Sequence, residues 1–328
     1  MSAAIAAPLV AQVNVVTTTP DLADVVRTIG GDDVDVHTLT TGEEDLHLVT
    51  VRPSFLVQVH RADVFVQLGF DAEHAWVPAL LQKAKNRAVR PGGAGFCDAS
   101  VGVTPLQVPA SVTRDAGPDL HPRGNPHYNL DPRRMKTVAR NVRDCLVRVD
   151  EAHRAGYFER HAAFEEAIDR HHATWKKLLE PCRGSAFIEN HRTWIYFADA
   201  FDLRIVGSLE PRPGLPPSAK HLADIIELAK RENVRLVVAR PRFAELARRV
   251  AKDCGADARI LQIGSLASGR GWLAFMDDIV AQFASVLGPG VSEAGDDGSR
   301  DRDVKGRGEG GRGARGSGEP DRNRSRCP

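Results

Sequence analysis

Residues 13–39 read VNVVTTTPDLADVVRTIGGDDVDVHTL, and this pattern indicates the fold class. A short run rich in β-branched residues, at 13–16, is followed by three threonines and by Pro20. Pro20 opens a stretch whose apolar residues recur at helical spacing until a Gly-Gly pair ends it, and residues 34–39 form a second β-branched run. A strand, a helix and a strand in this order are typical of a parallel β-α-β unit.

The same alternation continues on both sides of a long helical stretch in mid-chain. In the first half it predicts a helix over 53–62, a strand over 64–68 and a helix over 72–85. In the second half it predicts strands over 186–188, 204–209, 234–239 and 259–263, and helices over 192–200, 219–231, 242–254 and 271–287. Strands that alternate with helices indicate parallel sheets with helices on both faces.

The middle of the chain has a different composition. Residues 100–130 are rich in Pro and Gly, which predicts a long loop. Asp131 and Pro132 are typical of a helix cap and of the first helical position. Residues 157–180 contain neither Gly nor Pro and carry one apolar stripe, so they predict a single long helix. We therefore expect an α/β fold of two Rossmann-like lobes with parallel sheets, joined by one long rigid helix.

Five segments follow from these patterns. They are a leader remnant or loose N-terminus at 1–12, an N-terminal α/β lobe at 13–150, a connecting helix at 151–181, a C-terminal α/β lobe at 182–287 and a disordered tail at 288–328. The first segment, MSAAIAAPLVAQ, lacks the positive n-region of a signal peptide, so we expect an incomplete leader or a loose terminus. The tail has no aromatic residue and is dense in Gly and charged residues, a composition that disfavours order.

Composition and charge narrow the function classes. The chain has 44 Lys and Arg against 43 Asp and Glu, a net charge of +1, which gives no reason to expect nucleic acid as a partner. No apolar run reaches the roughly 18 residues of a membrane-spanning helix, so we expect no transmembrane segment. The five cysteines are widely spaced without a C-x-x-C pair, which excludes a zinc knuckle or a dithiol redox motif.

Three of the twelve histidines stand where an α/β protein binds ligands. His47 lies in the loop GEEDLH, His127 lies in GNPHYNLDP before a predicted helix, and His191 follows the apolar run AFIEN. Such loops at strand ends are the usual ligand-binding places, and imidazole is the commonest protein ligand of Zn²⁺. Sequence spacing does not show that the three converge, so for each of them a solvated or capping histidine stays open as the alternative.

The segments around these histidines resemble the cluster A-I family of solute-binding proteins, which serve zinc and manganese ABC transporters. The resemblance covers about residues 13–287, and its most specific parts are GNPHYNLDPRRMKTVARNV and HRTWIYFADAFDLRIVGSLEPRPGLPPSAKHLADII. It implies that His47, His127 and His191 bind the metal ion. It also implies a periplasmic, that is extracytoplasmic, protein that delivers the ion to an ABC transporter membrane permease. Manganese members typically carry a carboxylate at the third position, so His191 favours Zn²⁺, with Mn²⁺ as the weaker alternative.

This chain departs from the family pattern at the fourth ligand. The family commonly has an Asp or another residue near the strand end before the last helix, where this chain reads QIGSLASGRG. Gly264 offers no side chain there and Ser265 is a poor zinc ligand, so water, Glu210 and Glu189 all remain open as the fourth ligand. Zinc members often have a His-rich loop before the second ligand, whereas this chain has only His121 in that region.

Two other functions remain as alternatives. A zinc-dependent hydrolase would use three histidines and an open fourth position, with Glu189 as the one candidate general base, although no H-E-x-x-H motif is present. An adhesin-like surface protein would use the same fold, but no cysteine for a lipid anchor lies near the start of this sequence.

Overall fold

The computed structural model describes residues 12–110, 121–212, 214–261 and 271–289. The predicted leader remnant lies outside these residues, apart from Gln12, and the predicted tail lies outside them apart from residues 288–289. Gly264 and Ser265 also lie outside the described residues. Within the described part, no helix combines the length and the hydrophobicity that a membrane span requires.

The first lobe is built on a four-stranded sheet. Its strands are β1 (Val13–Thr17), β2 (Val34–Thr38), β3 (Val64–Gln67) and β4 (Phe96–Asp98), and its helices are α1 (Pro20–Gly30), α2 (Pro53–Arg61), α3 (Val77–Ala84) and α4 (Pro132–Val149). The order of the strands is β2-β1-β3-β4 and every pair is parallel. The strand β1 therefore lies inside the sheet, where β-branched residues on both faces are covered by helices.

The second lobe repeats this arrangement. Its strands are β5 (Ala186–Glu189), β6 (Arg204–Ser208), β7 (Leu236–Ala239) and β8 (Asp257–Ile260), and its helices are α6 (Ile195–Phe201), α7 (Ala219–Arg231), α8 (Ala244–Cys254) and α9 (Trp272–Leu287). The order β6-β5-β7-β8 is again parallel throughout. In each sheet the winding direction reverses between two neighbouring strands, β1 and β3 in the first lobe and β5 and β7 in the second. Ligands of open α/β sheets bind at such a reversal, beyond the carboxyl ends of the strands.

The connection between the lobes is the 26-residue helix α5 (Arg154–Leu179). Its buried side chains, which include Tyr157, Phe164, Ile168 and Trp175, lie in one hydrophobic core with residues of both lobes. The helix packs against α1 and α4 of the first lobe and against α9 of the second. The prediction of two parallel α/β lobes joined by a long helix is confirmed.

Local capping residues explain where the helices begin and end. Thr19 is extended and Pro20 occupies the first turn of α1, and the chain leaves this helix through Gly31, whose φ of 57° suits a glycine. At the start of α4, the Asp131 carboxylate accepts a hydrogen bond from the Arg133 amide, so this predicted cap is present.

The structure differs from the sequence prediction at two places in the first lobe. The helix predicted over 72–85 begins only at Val77, because Phe70 and Asp71 have positive φ and the Glu73 carboxylate bonds to backbone amides before them. The strand β4 was not predicted, because its three residues are too few to show an alternation. It exists because it pairs with β3.

Candidate metal centre

The three histidines singled out by the sequence come from three different connections. His47 lies in the loop between β2 and α2, and His127 lies four residues before Asp131, the cap of α4. His191 follows β5 directly, in the second lobe. The first lobe therefore supplies two imidazoles and the second lobe supplies one.

The structure brings these three side chains together. One ring nitrogen of each lies within 4.8 Å of the others, and the ring centroids are 5.6 to 6.1 Å apart. His47 and His191 are buried, and His127 is partly buried. On a tetrahedral Zn²⁺ with Zn–N bonds of about 2.0–2.1 Å the nitrogens are roughly 3.3 Å apart, so an ion would draw the three rings slightly closer.

Each imidazole donates its Nδ1 proton to an oxygen atom. The pairs are His47 with the Ala72 carbonyl at 3.0 Å, His127 with the Asn125 amide oxygen at 3.0 Å, and His191 with the Glu210 carboxylate at 2.9 Å. Carbonyl and carboxylate oxygens only accept hydrogen bonds, so they select the tautomer that keeps a lone pair on Nε2. Three Nε2 atoms with lone pairs form a donor set that fits a zinc-like ion.

The charge state of His127 agrees with this role. Burial, followed by the neighbouring imidazoles of His191 and His47, holds the pKa of His127 well below its usual value. The ring is therefore neutral at pH 7 and no proton has to leave before a metal ion binds.

Glu210 lies behind His191. Its Oε2 atom accepts the hydrogen bond from His191 Nδ1 and another from the Gly214 amide at 2.9 Å. Because this bond engages Nδ1, it leaves Nε2 of His191 available for a metal ion and fixes the orientation of the ring.

Glu189 caps a turn. Its buried Oε2 atom accepts hydrogen bonds from the backbone amides of Thr193 and Trp194, at 3.1 and 3.0 Å. Burial raises the pKa of Glu189 to about 7. These contacts order the chain between His191 and α6.

Sequence reasoning missed Asn125, although it stands two residues before His127 in the quoted motif. Its side-chain oxygen accepts from both the backbone amide and the Nδ1 of His127, and its Nδ2 donates to the Arg192 carbonyl at 2.6 Å. Asn125 thereby ties the His127 loop of the first lobe to the residue that follows His191 in the second.

Arg240 and Arg242, in the loop after β7, were also missed. Arg240 donates to the carbonyls of Glu43 and Glu44 at 3.2 and 2.9 Å, and Arg242 pairs with the Asp45 carboxylate at 2.9 Å. The second oxygen of Asp45 accepts from the His47 amide. The second lobe therefore helps to hold the loop that carries His47.

Comparison with known proteins points to the same class. The chain matches the ZnuA family, described as zinc-uptake complex component A periplasmic, over residues 15–286. The zinc-binding lipoprotein AdcA of Streptococcus pneumoniae serotype 4 is 23% identical over 260 residues, which are 76% of this chain and 50% of AdcA. The chain thus spans about half the length of that relative.

Two further comparisons cover most of this chain and most of the matched protein. The iron-binding protein YfeA of Yersinia pestis is 26% identical over 266 residues, 78% of this chain and 79% of YfeA. A crystal structure of a ZnuA deletion mutant with zinc bound has a TM-score of 0.73 and 25% identity, and the match covers 85% of this chain and 100% of that one. With a family match that runs through both lobes and all three histidines, this chain belongs to the ZnuA family.

Proposed function

We propose that this chain is the extracytoplasmic metal-binding component of an ABC uptake transporter, and that it binds Zn²⁺ through His47, His127 and His191 and delivers it to a membrane permease. The observation that carries the proposal is the convergence of three imidazoles, each with Nδ1 bonded to an oxygen acceptor. Ligands from both lobes mean that binding ties the lobes together and that release requires them to separate.

The donor set favours zinc among the family's metals. Imidazole nitrogens suit Zn²⁺, whereas Mn²⁺ prefers carboxylate and water oxygens. Glu189 and Glu210, the carboxylates weighed as further ligands, are engaged in hydrogen bonds to Thr193, Trp194, His191 and Gly214. Titration of the metal-free protein with Zn²⁺, Mn²⁺ and Fe²⁺ in competition is expected to rank Zn²⁺ first.

The hydrolase alternative has less support. A general base must lie within hydrogen-bond reach of the proton that it removes. An oxygen of Glu189, the candidate base, is committed to two backbone amides, and the group helps to shape the turn before α6. We therefore favour transport without enzymatic activity.

A test of the function uses a strain that lacks this chain. The wild-type chain is expected to restore growth in medium depleted of zinc by a chelator, and the His127→Ala variant is expected not to. Added zinc should rescue the variant strain. Equal growth with both forms under zinc limitation would contradict the proposal.

The proposal also predicts the effect of Glu210→Gln. Loss of the carboxylate behind His191 is expected to weaken zinc binding by roughly 10- to 100-fold, because the ring loses both charge support and fixed orientation. Competition titration against a chromogenic chelator measures the change. Glu43→Gln, an exposed carboxylate on the first ligand loop, is the matched control and should bind zinc as the wild type does.

A further inference from the structure

His121 is a buried histidine whose ring nitrogens make no hydrogen bond of standard geometry with the described residues, although the Asp71 backbone lies near the ring. Only 9% of the residue is exposed. A buried polar atom without a partner is costly, and a side chain with two such atoms is uncommon in a native protein. A buried imidazole in this state indicates that the ring binds a metal ion or another group during the protein's function.

The position of the ring favours a metal ion as the bound group. The centroid of the His121 ring lies 4.5 Å from that of His47, with the two planes tilted by 43°. Imidazoles that share one tetrahedral Zn²⁺ have centroids roughly 5 Å apart, given Zn–N bonds of about 2.0–2.1 Å. His121 therefore stands beside the candidate centre, at a separation that two ligands of one ion have.

The carboxylates around the centre are already engaged. Asp45 bonds to the His47 amide and to Arg242, Glu189 bonds to the amides of Thr193 and Trp194, and Glu210 bonds to His191 and to the Gly214 amide. Among the described imidazoles near the three histidines, His121 is buried and makes no hydrogen bond of standard geometry through either ring nitrogen.

We propose that His121 supplies the fourth ligand of the bound metal ion, so that the ion is held by four imidazoles. This inference rests on the proposed function. The nitrogens of His47, His127 and His191 form the converged group without His121, so the His121 ring must turn toward them once the ion has arrived. A purely imidazole site disfavours Mn²⁺, which prefers oxygen ligands, and His121 is then a determinant of metal selectivity.

The test counts the imidazoles directly. The protein is labelled with ¹⁵N in its histidine rings and loaded with one equivalent of ¹¹³Cd²⁺, and each ligating nitrogen is recognised by its coupling to the metal nucleus. Four coupled nitrogens are expected in the wild type. Three are expected in His121→Ala, and four in His74→Ala, the control, whose exposed ring lies 6.5 Å from that of His121.

The outcomes separate this inference from the proposed function. Three couplings in the wild type, with the His121 ring uncoupled, would overturn the inference and leave the three-histidine site intact. Couplings absent from His47, His127 and His191 would instead remove the site on which the proposed function depends. The wild-type count decides the matter even where a variant fails to fold.

The effect of His121 on metal selectivity can be measured separately, from the affinities of variants for Zn²⁺ and Mn²⁺. His121→Ala is expected to weaken zinc binding by about tenfold, and His121→Asp to raise the affinity for Mn²⁺ relative to Zn²⁺, because it introduces an oxygen ligand. An unchanged ratio of Mn²⁺ to Zn²⁺ affinity in His121→Asp would count against His121 as a ligand.

Discussion

Replacement of His127 with alanine is expected to weaken zinc binding by at least about 100-fold, more than the roughly 10- to 100-fold typical of an outer-shell partner. The variant loses one of three converging nitrogens and leaves the Asn125 side chain without its ring partner. Of the converged group, only His47 and His191, from different lobes, then remain. Competition titration of the metal-free protein against a chelator of known affinity measures the loss.

The matched control for this variant is His37→Ala. His37 lies on β2 with its side chain about half exposed, and it carries no contact to the three converging rings in the described part of the chain. Its affinity for zinc should equal that of the wild type. Equal weakening in both variants would show that His127 has no special role.

Zinc is expected to stabilise the folded chain strongly. At a free zinc concentration about 1,000 times Kd, the free energy of unfolding should rise by about 4 kcal/mol, because the preformed site exists in the folded state. Histidines of the unfolded chain also bind zinc weakly, which reduces the gain. Thermal unfolding with and without zinc measures this gain as a rise in the unfolding temperature. The rise is about 2–4 °C for each kcal/mol in a domain of around 200 residues.

Two comparisons make the stabilisation specific. Mg²⁺ at the same concentration should leave the unfolding temperature unchanged, because it prefers oxygen ligands and keeps its waters. The zinc effect should largely disappear in His127→Ala. A similar shift with Mg²⁺, or an undiminished shift in the variant, would mean that zinc acts elsewhere on the chain.

Much of the fold could be predicted from local patterns. The β1-α1-β2 unit, the Asp131 start of α4 and the long helix α5 each carry a strong signal: alternation of elements, a cap with a following proline, or an uninterrupted apolar stripe. The strand β4 has no such signal, because pairing with β3 defines it. The late start of α3 follows from a turn held by Glu73. The same carboxylate accepts a hydrogen bond from the Thr18 hydroxyl, a tertiary contact that no local pattern marks.

The candidate site could be predicted only in part. The histidines were found through their contexts and a family resemblance, and their convergence depends on how two lobes pack. The acceptor for His47 is the backbone carbonyl of Ala72, and any residue type supplies a carbonyl, so no sequence signal marks it. Arg240 donates hydrogen bonds to two backbone carbonyls in the other lobe, and no sequence signal marks these contacts either.

The most direct measurement is anomalous X-ray scattering at the zinc edge from crystals of the zinc-loaded protein. We expect one strong peak between the two lobes, about 2.0–2.1 Å from the Nε2 atoms of His47, His127 and His191. A peak that lies away from these three imidazoles, or zinc bound without any of them, would contradict the assignment of the metal centre.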